Sequence, residues 1–101
     1  MQVPYEYIEK QVVTSGDSSH VFNFIPNYDC TGETLNVDVF KKGINKIKTV
    51  ASGISGGKRY NPIVVTGDFS GISAESDYTL KVVAANGSLK KTVAKGSLII
   101  K

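Results

Sequence analysis

The sequence predicts an all-β protein, an antiparallel sandwich of about seven or eight short strands, and three observations carry that expectation. Apolar and polar residues alternate at period two along several segments. Turn residues punctuate the chain at intervals of about 8–12 residues. No window repeats apolar residues at helical spacing over three turns, so helices are expected to be short or absent.

The first strand candidate is residues 5–13, where Tyr5 and Tyr7 share one face. This arm can add a strand to its own sheet or to a neighbour's, and aromatic residues of this kind are enriched in interface cores. The domain organisation that follows is an N-terminal arm or first strand over residues 1–11 and a sandwich over 12–101. Ser15-Gly16-Asp17 makes a turn into a strand over residues 20–25, and Asn27-Tyr28-Asp29 opens the next turn. Thr34 to Lys41 alternates most clearly, with Leu35, Val37 and Val39 on one face and Asn36 and Asp38 on the other. After a break at Lys42-Gly43, residues 46–51 form a weakly apolar strand. Its Lys46 and Lys48 mark a sheet edge, where charge discourages unwanted pairing.

The Gly- and Ser-rich stretch 53–57 is expected to be a flexible loop before a strand over residues 62–66. Residues 78–84 alternate again, with Tyr78, Leu80, Val82 and Ala84 inward. Asn86-Gly87 then fits a two-residue hairpin, because a type I′ turn needs positive φ at both central positions. Residues 88–93 and 97–100 close the chain as two further strands.

A chain of 101 residues with 41% hydrophobic and 21% charged side chains is long enough for one core and too apolar for disorder. No stretch approaches the ~20 apolar residues of a membrane span, and no membrane partner is expected. The first residues lack a basic region followed by an apolar run, so no secretory leader is expected. Cys30 is the only cysteine, which rules out an internal disulfide and suits a protein folded in a reducing cytoplasm. Charge divides unevenly: residues 1–40 carry one basic and six acidic side chains, residues 41–101 eleven basic and three acidic. Either the two parts pair between subunits or with an acidic partner, or they interleave in the sandwich and their charges mix.

Candidate chemistry fails on specific residues. Gly53-Ile54-Ser55-Gly56-Gly57 fits the G-x-S-x-G elbow, but that motif needs a strand turning sharply into a helix and a later histidine. No helical pattern follows, and the single histidine, His20, comes earlier. Gly57-Lys58-Arg59 falls short of a phosphate loop, which requires Gly at position 52 and Ser or Thr at 59. Neither His20 nor the aspartates have metal-ligand spacing. Asn86-Gly87-Ser88 matches a glycosylation sequon, although the hairpin turn explains it as well. A net charge of +3 with a single arginine, and no basic residues interleaved with aromatics, argues against nucleic acid. No enzyme activity, cofactor or metal is expected.

The order of turns and strands resembles a known family. Ser15-Gly16-Asp17-Ser18, Val21-Phe22-Asn23-Phe24 and the run from Thr31-Gly32 through Lys41-Lys42 look like the immunoglobulin-like N-terminal domain of phage baseplate upper proteins. Ser76-Asp77-Tyr78-Thr79-Leu80-Lys81-Val82, Asn86-Gly87-Ser88 and Gly96-Ser97-Leu98-Ile99-Ile100 resemble its closing hairpin and last strand, although Tyr78 to Val82 would also suit a fibronectin type III strand. The resemblance covers about residues 12–100. Members of that family continue into further regions, and this chain stops where the domain would. The resemblance implies an immunoglobulin-like sandwich and a bacteriophage virion structural protein, assembled in the host cytoplasm. Its partners would be capsid proteins, for a decoration protein, or tail and baseplate proteins, with a homo-oligomer also open. The expected contact residues are Tyr5, Tyr7, Lys58, Arg59 and Tyr60. The alternative is a carbohydrate-binding adhesion module on the virion surface, which the absence of Trp disfavours.

Overall fold

The computed structural model describes residues 8–26, 28–42, 45–84 and 92–101. Among them are seven strands and no helix: β1 (Gln11–Val13), β2 (His20–Phe24), β3 (Thr34–Lys41), β4 (Asn45–Ser55), β5 (Ile63–Gly67), β6 (Tyr78–Ala84) and β7 (Thr92–Ile100). Five strands form one sheet in the order β1-β7-β6-β3-β4, and β2 pairs with β5 in the other. Strands two and five thus form the small layer, and strands one, seven, six, three and four the large one. The expected all-β sandwich of about seven strands is the observed fold. Every pair is antiparallel except β1 with β7, which runs parallel from Gln11↔Leu98 to Val13↔Ile100.

Alternation explains how the layers close. On β6 every second residue is buried, and Leu35, Val37 and Val39 of β3 are fully enclosed beside Leu80 and Val82. From the small sheet Phe22, Phe24 and Val65 face them, while Phe69 and Ile72 of the β5–β6 connection complete the cluster. Each such side chain contributes about 1.5–3 kcal/mol when fully buried, which is how a chain without a disulfide holds two sheets together. At the start of β6 the Tyr78 hydroxyl donates to the Ser73 carbonyl at 2.8 Å. This back-bond pins the opening of the sixth strand to the connection before it, a corner of the kind that tyrosines make in β sandwiches. Lys41 Nζ lies 3.0 Å from both oxygens of Glu75 and ties β3 to the same connection.

Two strands differ from their sequence expectation. β4 runs through Ser55 rather than ending at residue 51, because three irregularities in its pairing with β3 absorb extra residues and break the period-two pattern. Gly53, expected in a flexible loop, lies within that strand at φ 68°. Of the strand candidate over residues 88–93, residues 88–91 lie outside the described residues; residues 92–93 and the last candidate, 97–100, share one strand, β7, which passes straight through Gly96. Gly96 is buried opposite Leu80, and a Cβ there would strike the Ile8 carbonyl oxygen. Glycine at this site permits close approach of the chain around Ile8; it does not end a strand. The Asn86-Gly87 turn lies outside the described residues.

Both sheet margins are stitched to the opposite layer. On one side His20 Nε2 meets Gln11 Oε1 at 2.9 Å, joining β2 to β1. On the other, the Asp68 amide donates to the Val50 carbonyl at 2.8 Å, and Lys48 Nζ donates to the Ser70 carbonyl at 2.8 Å. Lys48 on the edge strand therefore fastens the β5–β6 connection as well as carrying charge. Asp38, from the acidic first part of the chain, accepts from Thr49 Oγ1 at 2.7 Å and pairs with Lys46 at 3.6 Å. Here the charges of the two parts meet across neighbouring strands.

Candidate functional site

At one end of the sandwich the β2–β3 and β4–β5 connections bind each other through backbone. The Gly56 amide donates to the Glu33 carbonyl and the Cys30 amide to the Gly57 carbonyl, both at 2.9 Å. Cys30 is fully buried; its thiol donates to the Gly57 carbonyl at 3.3 Å and accepts from the Gly57 amide at 3.4 Å. Gly56 is obligatory at this junction, because a Cβ would overlap the Cys30 carbonyl oxygen. The glycine-rich stretch that the sequence marks as flexible is therefore fastened along its length.

The lock delivers Lys58, Arg59 and Tyr60 to the surface in a fixed turn. The Asn61 amide closes the turn on the Lys58 carbonyl at 3.2 Å, and the Tyr60 amide reaches the carbonyl of buried Pro26 at 3.0 Å. Tyr60 adopts a left-handed backbone, φ 69°, which costs an L-residue about 1–2 kcal/mol. The residue is 49% exposed, with the Arg59 guanidinium 4.6 Å from the ring centroid. A stacked arginine on a restrained tyrosine is an ordered, amphipathic surface that loses little side-chain freedom when a partner covers it.

Neighbouring acids shape the electrostatics. Asp29 Oδ1 accepts from the Thr31 hydroxyl at 2.6 Å and its amide at 3.0 Å, which hold the carboxyl below its ordinary range, with Lys58 adding a smaller effect. The Tyr28 hydroxyl donates to Glu33 Oε1 at 3.2 Å; burial first and the Glu33 charge second push its phenol up to about 12. A phenol so disposed is neutral across the physiological range and acts as a donor. The end of the domain thus presents Lys58 near Asp29, together with Arg59 stacked on the exposed Tyr60.

The expected contact residues divide in two. Lys58, Arg59 and Tyr60 come together in one turn; Tyr5 and Tyr7 lie outside the described residues. Pro26, Cys30 and Glu33 escaped the sequence reading because they meet residues 56–60 mainly through backbone bonds between distant parts of the chain. Ser55 closes β4, paired with Thr34, and no sharp strand-to-helix turn follows it. His20 sits on the other sheet, bonded to Gln11 and edge-on to Phe69 at 5.7 Å. Among the described residues no three His, Cys, Asp or Glu side chains gather where they could hold a metal. Comparison with protein families, with curated proteins and with solved structures found no match for this chain.

Proposed function

We propose that this chain is a non-enzymatic structural component of a bacteriophage particle, docking on other particle proteins as a capsid decoration protein or as part of the tail or baseplate. The observation that carries the reading is the Arg59–Tyr60 pair, exposed and yet held by the Pro26 and Cys30 contacts. Tyrosine and arginine are the residue types that most often anchor protein interfaces, and prior ordering lowers the entropy cost of using them. The resemblance to baseplate upper domains supplies the setting, the virion, assembled in the host cytoplasm.

The test is to immobilise the purified chain and pass over it the capsid, tail and baseplate proteins encoded beside its gene. We expect one of them to bind with micromolar or tighter Kd. Arg59→Ala should weaken that binding by about tenfold, equivalent to about 1.4 kcal/mol. If none of these proteins binds, the reading is wrong. The carbohydrate alternative draws on the same exposed Tyr60 ring, and a glycan array with hits lost in Tyr60→Gly would favour it instead.

A further inference from the structure

Of the twelve Lys and Arg residues in this chain, only Arg59 is an arginine. Lysine serves wherever a surface needs charge alone. Arginine adds five N–H donors in a rigid planar fork that matches a carboxylate. The single arginine stands in the turn that the Cys30 junction holds, with its guanidinium 4.6 Å from the centroid of the Tyr60 ring. Tyr60 keeps a left-handed backbone, φ 69°, that glycine or asparagine would adopt more easily, and it lies outside the hydrophobic core. Core packing therefore does not account for an aromatic at this position. Strain of this kind gathers where a ligand must find a side chain already in place.

The two cations of the turn differ in their surroundings. Asp29 is held below its ordinary carboxyl range first by the Thr31 hydroxyl and amide, and to a smaller degree by Lys58. Its negative charge offsets that lysine. Among the described residues no carboxylate pairs with Arg59, and its N–H donors meet no protein acceptor. The charge left at the turn among those residues is a single positive one, on Arg59.

We propose that Arg59 receives one carboxylate, from an Asp or Glu side chain of the partner protein, while the apolar residue beside that acid covers the Tyr60 ring. The inference rests on the docking role proposed above and supplies the chemistry of its partner. Contact with the ring leaves the in-plane donors of the fork for a bidentate pair, the arrangement in which arginine exceeds lysine. Because the guanidinium already rests on the ring, it gives up little freedom on pairing. Once the ring is covered, water is excluded and the charge pair strengthens. A polyanion such as nucleic acid fits worse, since Asp29 would stand among its phosphates near Lys58.

The test uses the full chain, isotopically labelled for NMR, and two capped pentapeptides, Ser-Leu-Glu-Ser-Gly and Ser-Leu-Gln-Ser-Gly. At low salt we expect the Glu probe to shift the Arg59 Nε–Hε signal and the amides of residues 58–61, and to bind about tenfold tighter than the Gln probe. Arg59→Gln should remove that difference. Arg59→Lys, which keeps the charge without the fork, should weaken the Glu probe roughly fivefold. Both variants change an exposed side chain, and unchanged amide signals elsewhere show that each is folded. Equal binding of the two probes, shifts spread over the lysines instead of residues 58–61, or full affinity in either variant would overturn the inference. The particle proteins separate it from the docking role. One that binds Arg59→Gln as tightly as the native chain would overturn the carboxylate site and leave docking intact. Glu-selective binding at Arg59 with no particle protein bound would overturn the docking role and leave the carboxylate site.

Discussion

Gly56 and Gly57 stand side by side, yet adding one methyl group to each should have opposite consequences. A Cβ on Gly56 would overlap the Cys30 carbonyl oxygen and come within 2.8 Å of its carbon and 3.1 Å of its Sγ. The Cys30 backbone has nowhere to retreat, because its amide is bonded to Gly57 at 2.9 Å and its carbonyl accepts from Glu33 at 3.0 Å. Overpacking of this kind costs about 1–3 kcal/mol. Displacing the loop also gives up backbone hydrogen bonds worth about 1 kcal/mol apiece. We expect Gly56→Ala to destabilise the domain by about 2–4 kcal/mol on these grounds. At Gly57 the added Cβ would only touch Ile63 Cδ1 at 3.5 Å, an ordinary contact, and the cost should stay within about 0.5 kcal/mol. Urea unfolding followed by circular dichroism measures both. The Gly56→Ala midpoint should fall at unchanged slope, the Gly57→Ala midpoint should hold, and only the former should open Cys30 to a thiol reagent in native buffer. Equal midpoints for the two variants would show that the Cys30 junction does not restrain the loop, and the rigidity argued for Tyr60 would go with it.

Three further outcomes follow from individual contacts. Tyr78→Phe removes the donor to the Ser73 carbonyl and should lower stability by about 1–2 kcal/mol in the same unfolding assay; an unchanged midpoint would mean the corner adds nothing. Tyr60→Gly relieves the left-handed backbone, so it should raise stability by up to about 1 kcal/mol while abolishing partner binding, a combination that a purely structural tyrosine would not give. Tyr28 ionises at about 12 in the folded chain against an ordinary value of 10.0. The stability it contributes is full below pH 10.0 and is lost as pH rises through about 12, because the unfolded chain gives up that proton first. The urea midpoint should therefore fall more steeply over that window in the unaltered protein than in Tyr28→Phe, and parallel curves would refute the burial of the phenol.

Where one face of a strand is buried and the other is wet, the alternation in the sequence locates the strand to the residue. β3 and β6 match their expected bounds at both ends for that reason, with Leu35, Val37, Val39, Leu80 and Val82 inward. β4 does not, because its irregular pairing shifts side chains between faces and erases the period; what remained readable was its edge position, from Lys46 and Lys48. Gly96 looked like a break because a missing side chain is also the sequence mark of a turn. Only the position of Ile8 across it distinguishes the two.

The same division holds for the candidate site. The residue types at 58–60 stood out in the sequence as a basic loop with an aromatic at its end. Their rigidity came from Pro26, Cys30 and Glu33, and backbone-to-backbone bonds leave no trace in side-chain identity. The sequence by itself determined the fold class, the inward faces of the regular strands and the charged edge, since each follows from local polarity at fixed spacing. Tertiary structure alone decided that Gly56 is a contact point and that Tyr60 is held in a left-handed turn. Those features depend on which distant segments meet, and local spacing carries no record of that.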